Sequence, residues 1–484
     1  MKRALRFRLN GKLFEIFERE EMVALDWIRR EQGLTGTKEG CREGDCGACM
    51  VLLGERIQTK SADAEVRWRS ALSCLLALGE LDGRHVVTIE GIGARGVTPV
   101  MAAMLDEGAS QCGFCSPGFV VSLTAYLLRG GALTEEGAIR AVEGNLCRCT
   151  GYGSIKRAGA RLVERFGNLP EALPQRLEEL SRAGVIPAEI AVLMSDIPEP
   201  AGSVASNVPA GGEDALTIGG GTDFFVRNPD PEPQGTVAFV DRDPALRLIS
   251  RDEQTIRVGA SVSVQEFFES SIVRNLFPGI ERYESQFASL PIRTRATLAG
   301  NITNASPIGD MTAILLALQT NVKIRTSTAT RTLPLDSYFV SYRRTALEKA
   351  EQVESLLIPI PPKTGRAVFN FEKVAKRRNL DIASANSACL AIADTDRRVL
   401  EISLSAGGVG PVPMRLSKTE AYLRGKRVDR DIASRAAKLA GEECAPIDDV
   451  RGSATYRRTL LGRFIWAHLE QIFPELDLIK ELLA

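Results

Sequence analysis

The chain of 484 residues reads as an α+β multidomain protein, on three observations. Eight of its ten cysteines fall within the first 150 residues, in two tight groups. Strand-like alternation surrounds the first group and helical apolar patterns surround the second. A stretch rich in proline and small residues, Ile197 through Gly212, then leads into a glycine-punctuated half whose only cysteines are Cys389 and Cys444.

The first domain is expected over 1–90. Leu5 to Leu9, the pair Asn10-Gly11, and Leu13 to Phe17 predict a β-hairpin with a type I′ turn. Met22 to Arg30 suits a short helix, and Cys49 to Leu53 a strand. Between them, Cys41, Cys46 and Cys49 form C-x4-C-x2-C, with Cys74 further on. This is the plant-type ferredoxin spacing for a [2Fe–2S] cluster, and it implies a β-grasp ferredoxin domain. Gly36, Gly40, Gly44 and Gly47 let the loop approach the cluster without a clashing Cβ, so that N–H groups can point at sulfur. Zinc competes for paired cysteines, but a lone distant fourth cysteine is an unusual zinc pattern.

The second domain is expected over 91–168 as a helical bundle. Cys112 and Cys115 (C-x2-C) precede a helical stretch from Phe119 to Leu128, and Cys147 and Cys149 (C-x-C) follow another from Thr134 to Glu143. Taken alone these four thiols suit zinc as well as iron. Beside a ferredoxin loop they point to a second [2Fe–2S] cluster. Disulfides are disfavoured, because the N-terminus has no apolar signal-peptide core and the chain is expected to be cytoplasmic. No apolar run suits a membrane span, and a formal charge of zero gives no electrostatic case for nucleic acid or anionic lipid. His85, His468, Cys389 and Cys444 read as structural residues.

A linker is expected over 169–212, then α+β regions over 213–365 and 366–484. Ala215 to Asp223 reads as a strand running into Gly219-Gly220-Gly221, a turn able to present N–H groups to a pyrophosphate. It is not a Rossmann fingerprint, and by itself it reads more often as an ordinary loop than as a phosphate site. The run from Asn301 to Asp310 is also open between a loop and a binding segment.

The two cysteine sets, the Gly219–Asp223 turn and the Asn301–Asp310 run, in this order, resemble the small subunit of two-subunit xanthine dehydrogenases, in the molybdenum hydroxylase family. Ile292-Arg293, Ser341-Tyr342-Arg343-Arg344-Thr345, Lys373 to Arg378 with Asp381-Ile382-Ala383, Gly407 to Pro411, and Asp449 to Ser453 with Tyr456-Arg457 extend the resemblance across the chain. It implies a PCMH-type FAD-binding domain over 213–365 and a C-terminal domain like that of CO dehydrogenase flavoproteins over 366–484. The implied FAD contacts are Thr217, Ile218, Gly219, Gly220, Gly221, Thr222, Asp223, Phe224, Phe287, Thr297, Asn301, Asp310 and Lys373, with Phe287 near the isoalloxazine. Asp223 and Tyr342 fall where a nicotinamide would approach, and Gln111 and Cys149 where a partner's pterin would face. Ser341 departs from the family's glycine at that position, which affects only the local loop shape.

The resemblance implies an NAD+-dependent xanthine dehydrogenase active only with a large subunit holding a molybdenum cofactor, as an (αβ)2 heterotetramer. No residue of this chain is expected to catalyse hydroxylation. Electrons from oxidation of hypoxanthine or xanthine to urate would pass through both clusters to FAD, which can accept single electrons and deliver a pair to NAD+. Three other readings stand beside it. They are the same role in a hydroxylase for another N-heterocycle or an aldehyde, an oxidase using dioxygen, and a stand-alone NADH-dependent reductase.

Overall fold

A computed structural model describes residues 2–58, 64–201, 215–232, 236–377 and 379–478. The chain forms two compact units. The first comprises Met1–Ser206, Ala215–Arg242 and Ser289–Ile292; the second holds the remainder.

In the first unit, β1 (Arg3–Leu9) and β2 (Lys12–Glu18) form the expected hairpin. Asn10 and Gly11 have φ of 50° and 84°, the positive values a type I′ turn demands. Leu5, Phe7 and Leu9 alternate onto the buried face, where Phe7 meets Trp27 edge-on. The crossing helix α1 (Ala24–Asp26) runs on as a wider π turn over Trp27–Glu31. With β3 (Met50–Gln58), β4 (Ala64–Leu72) and β5 (His85–Val87), the sheet has order β2-β1-β5-β3-β4. Only the β1–β5 pair is parallel, as in a β-grasp fold.

Helices follow: α2 (Ile89–Ile92), α3 (Pro99–Asp106), α4 (Ser116–Leu128), α5 (Glu135–Ala141) and α6 (Gly153–Phe166). Helix α4 is apolar all round, and every residue from Gly118 to Leu128 is buried. Such a helix must be central. It packs on β3 and β4 on one side and on α5 on another, so the bundle and the ferredoxin sheet share one core.

The linker expected over 169–212 is not one. Helices α7 (Leu173–Arg182) and α8 (Ala188–Ala191) occupy it, and Leu177, Leu180, Val185, Ile190, Met194 and Ile197 are buried in the same core. Pro174 sits in the first turn of α7, where its missing N–H costs no bond, so this proline starts a helix and does not mark exposed chain. The buried Arg176 guanidinium donates to the carbonyls of Leu127 and Gly131, both at 3.1 Å. The rest of the linker expectation, 202–212, lies outside the described residues, as do 213 and 214.

The expected 213–365 domain is divided between the units. Strands β6 (Ala215–Ile218) and β7 (Thr236–Phe239), joined through α9 (Phe224–Arg227), pair in parallel. Ile218, Phe225 and Phe239 enter the core that also holds Cys74 and Leu75, and this apolar burial ties the segment to the first unit.

The second unit holds β8 (Ile249–Arg251), β9 (Thr255–Gly259), α10 (Val264–Glu269), α11 (Ser271–Leu276) and the short turn α12 (Leu290–Arg293), whose first three residues belong to the first unit. Next come α13 (Leu298–Thr303), α14 (Asp310–Ala317), β10 (Asn321–Arg325), β11 (Thr330–Pro334), α15 (Leu335–Tyr338), β12 (Phe339–Ser341), β13 (Arg344–Thr345) and β14 (Gln352–Pro359). One antiparallel sheet has order β11-β10-β14-β9-β8. A second is built from β15 (Arg366–Val374), β16 (Ala385–Ala393), β17 (Val399–Gly407) and β18 (Met414–Arg415). After it come α16 (Ser417–Leu423), α17 (Arg430–Glu443) and α18 (Ala454–Ile472). All nine residues of β16 are buried, because α14 and α18 both pack on it.

His468 of α18 is a structural residue, as expected. Its ring meets Asn370 Nδ2 at 2.8 Å and Ser387 Oγ at 2.9 Å. Burial pushes its pKa down from 6.5 to about 3. Between those values the unfolded chain binds a proton that the folded unit excludes. Stability should therefore be full above pH 6.5 and fall with acidification, by up to about 1.4 kcal/mol per pH unit. Urea unfolding of the wild type at pH 7.5 and 5.5 should show this loss, and His468→Gln should flatten the dependence.

Candidate functional site

The eight N-terminal cysteines are all free thiols, and they are arranged in pairs. Cys49 Sγ and Cys74 Sγ lie 3.3 Å apart, and Cys41 shares a hydrogen bond with Cys46. In the second set Cys112 and Cys149 are 3.8 Å apart, and Cys115 interacts with Cys147. Two thiolates bound about 2.3 Å from one tetrahedral metal stand roughly 3.7 Å apart. Two such pairs in each group suit two metal ions, the composition of a [2Fe–2S] cluster.

Within three of the four pairs one sulfur is lowered and its neighbour raised. Cys41 is pulled down to about 5, chiefly by the hydrogen bond with Cys46, while the N–H groups of Glu43, Cys46 and Asp45 assist against the cost of burial. Cys46 is pushed up by the same partnership. Cys49 is lowered by its bond with Cys74, and Cys74 is raised. In the second set, burial and Cys147 push Cys115 up to about 12. Cys147 is lowered against burial by the Thr150 hydroxyl at 3.2 Å and the Thr150 N–H at 3.5 Å. Two sulfurs sharing a hydrogen bond present a geometry in which a metal ion would replace the shared proton. N–H groups aimed at sulfur also tune a cluster's potential.

The two loops meet directly. Leu146 N–H donates to the Cys46 carbonyl at 2.9 Å, so one hydrogen bond links a cysteine of the first set to the residue before Cys147. Asn145 Nδ2 donates to Gly47 O at 3.3 Å, and Ser122 of α4 orients that amide through its Oδ1 at 2.8 Å. Gly47 has φ of 68°, and a Cβ there would lie 2.2 Å from Gly144 O. A Cβ on Gly118 would lie 2.2 Å from Gly47 O. Side chains at these positions would force the loops apart. The spacing pattern of the cysteines did not point to Gly118, Gly144, Asn145 or Leu146.

The far end of the second set is open. Cys112 and Cys149 are exposed, whereas Cys147 is buried, and Gln111 Nε2 donates to the Cys149 carbonyl at 3.3 Å. Phe114 and Leu146 expose apolar surface beside them.

The turn at Gly219–Asp223 emerges from β6 into α9, as expected. Gly221 has φ of 70°, and a Cβ there would fall 3.2 Å from Leu75 O and 2.9 Å from the Phe225 ring. The turn therefore packs against the residue next to Cys74. Asp223 pairs with Arg227 at 2.8 Å.

In the second unit, Lys373 Nζ lies 2.6 Å from Asp310 Oδ2 and 2.6 Å from the Gln286 carbonyl. Asn386 Nδ2 holds the other Asp310 oxygen at 2.6 Å. Burial raises the Asp310 carboxyl, and Lys373 opposes it. Thr297 caps α13 by accepting from Gly300 N–H. Asn301 Oδ1 is buried without a hydrogen-bond partner, an orphan acceptor that a bound polar ligand would satisfy. Phe287 is half-buried and Tyr342 is exposed.

Paired thiols in two linked loops suit a two-cluster iron–sulfur protein. The comparisons refine that class. Residues 7–78 match the 2Fe-2S iron-sulfur cluster binding domain, and 88–160 the [2Fe-2S] binding domain. Residues 200–361 match the FAD binding domain in molybdopterin dehydrogenase, and 371–472 the CO dehydrogenase flavoprotein C-terminal domain. Xanthine dehydrogenase of Emericella nidulans is 27% identical over 98% of this chain, and nicotinate hydroxylase of the same organism 28% over 99%. These alignments cover 39% and 42% of the relatives, so the chain spans about two fifths of their length. A carbon monoxide dehydrogenase structure from Hydrogenophaga pseudoflava, lacking the Mo-pyranopterin moiety of its cofactor, superposes with TM-score 0.50 at 25% identity, covering 54% of this chain and 90% of that one. The four domains, in this order, are those of the iron–sulfur/FAD electron-transfer part of the molybdenum hydroxylase family. Among the described residues no helix is long and apolar enough to cross a membrane.

Gly118→Ala tests the joint between the loops. It should weaken the magnetic coupling between the two reduced clusters while preserving each cluster's own paramagnetic resonance signal. Overpacking should also cost about 1–3 kcal/mol of stability.

Proposed function

We propose that this chain carries electrons, one at a time, from a molybdenum-cofactor subunit to FAD and then to NAD+, during oxidation of hypoxanthine or xanthine. Cys112, Cys115, Cys147 and Cys149 hold the entry cluster, and Cys41, Cys46, Cys49 and Cys74 hold the next. When bound, the clusters supply single-electron carriage, and FAD supplies the conversion to a two-electron hydride donor. The single observation that carries the reading is the Leu146 N–H···O Cys46 hydrogen bond, which joins the two ligand loops at 2.9 Å.

The chain's own residues set direction. Exposed Cys112 and Cys149, with Gln111 and Phe114, form the end at which a partner's pterin would dock. Buried Cys49 and Cys74 form the other end, and Leu75 there touches Gly221 of the turn proposed to wrap the FAD diphosphate. Thr217 to Phe224 supply that turn. Phe287, Thr297, Asn301, Asp310 and Lys373 are proposed as further FAD contacts, and Asp223 and Tyr342 as residues near the nicotinamide. The assembly is proposed to be an (αβ)2 heterotetramer acting in the cytoplasm.

One observation favours a second reading. The nicotinate hydroxylase relative is as similar as the xanthine dehydrogenase. The same electron path would serve a hydroxylase for another N-heterocycle, since substrate choice would lie in the partner. Purification of the complex from its native cells, followed by assay of NADH formation with xanthine and with nicotinate, separates the two. A chain that purifies with flavin and iron but no molybdenum partner would overturn both.

Cys149→Ser should abolish substrate-to-NAD+ turnover and leave FAD bound; wild-type turnover would sink the path. Gly220→Val should lose flavin and keep both cluster signals, as read by flavin content and paramagnetic resonance.

A further inference from the structure

The segment Gln286-Phe287-Ala288 follows a tight helical turn over Ile280–Gln286, and its backbone is held unusually firmly. Its three successive carbonyls all accept from buried cations. Lys373 Nζ donates to Gln286 O at 2.6 Å. Arg293 Nη1 donates to Phe287 O at 2.9 Å and to Ala288 O at 3.3 Å. Ala288 adopts φ of 43°, a left-handed conformation that a residue with a Cβ rarely takes without tertiary support.

Arg293 is built for this task and is only 1% exposed. Its Nε donates to Gln265 Oε1 at 2.9 Å, and its Nη2 lies 3.4 Å from Glu284 Oε1. Gln265 Nε2 donates to the same Glu284 oxygen at 2.9 Å, which closes a ring of polar contacts around the guanidinium. The planar fork spends two edges on this frame and one nitrogen on the carbonyls. A buried cation so fully engaged cannot bind a mobile ligand; it can only fix what it touches. What it touches is the backbone on either side of the Phe287 ring, while that ring itself stays half-buried.

We infer that Arg293 is a positioning residue for the flavin site: together with Lys373 it clamps the backbone of Gln286–Ala288 and so sets the pose of the Phe287 ring. The inference rests on the proposed reading of Phe287 as a neighbour of the isoalloxazine. The clamp acts by preorganisation, since a ring on a backbone fixed at three consecutive carbonyls loses no further freedom when the cofactor docks. The strained Ala288 turn persists because the clamp over-determines it.

The test uses the full chain with its partner as purified, and four variants: Phe287→Ala, Arg293→Gln, Arg293→Lys and Ala288→Gly. The readouts are the flavin absorption spectrum, FAD affinity by titration, and both cluster signals. Arg293→Gln should shift the flavin spectrum in the same direction as Phe287→Ala and lower FAD affinity by about tenfold, the effect of losing one charge-assisted hydrogen bond. Arg293→Lys should restore part of both, and the cluster signals should not move. Ala288→Gly removes no buried charge and frees the turn, so it should give a smaller shift of the same sign. This variant decides the matter if Arg293→Gln does not fold. An altered flavin in Phe287→Ala with a normal one in Ala288→Gly and in any folded Arg293 variant would overturn the clamp and leave the reading of Phe287 intact. An unaltered flavin in Phe287→Ala would overturn that reading, and the clamp's role with it.

Discussion

Close approach of two backbone loops, made possible by missing side chains, is the constraint on which the first unit depends. A Cβ on Gly47 would collide with the Gly144 carbonyl oxygen, and a Cβ on Gly118 with that of Gly47. Their contact brings Leu146 N–H to the Cys46 carbonyl and makes the two cysteine groups parts of one structure. The apolar helix α4 enforces this geometry. It carries Gly118 on its first turns, packs on β3 and β4, and positions Asn145 through Ser122. Cluster loops of opposite sequence origin are therefore held by a common core, so relative movement of the two loops would disturb buried apolar contacts.

The electrostatics follow the same economy. Donors from Thr150 and from the loop around Glu43 lower Cys147 and Cys41 against the cost of burial. Cys49 and Cys74 are buried whereas Cys112 and Cys149 are exposed, so the first group has a pair sealed in the core and the second has a pair at the surface. In the second unit, Asp310, Lys373 and Asn386 form a buried pair with a third support, and Lys373 spends its remaining reach on a backbone carbonyl. Charges locked in this way confer position more than stability.

Much of this was legible from local patterns. Asn10-Gly11 between alternating strands specified its turn, because few residues other than asparagine and glycine accept those φ values. The cysteine spacings grouped the thiols that the structure brings together in pairs, and Gly219-Gly220-Gly221 after a strand marked the turn. The 169–212 stretch misled, because prolines that begin helices look like prolines that end them until burial is known. The assignment of Ala215–Arg242 to the first unit was equally invisible, since it depends on Ile218, Phe225 and Phe239 finding the core around Cys74 and Leu75. Asn386 acts on Asp310, 76 residues away, and the frame that holds Arg293 includes Gln265, 28 residues away, relations that periodicity does not encode.

The sequence by itself determined which atoms could bind metal and where the backbone could turn, because ligand chemistry and φ restrictions are properties of single residues and short spacings. Only the tertiary structure decided that Cys46 and Leu146 share a hydrogen bond, that Leu75 abuts Gly221, and that Arg293 holds the carbonyls beside Phe287. Those contacts exist because distant apolar surfaces bury one another, and burial is a property of the whole chain.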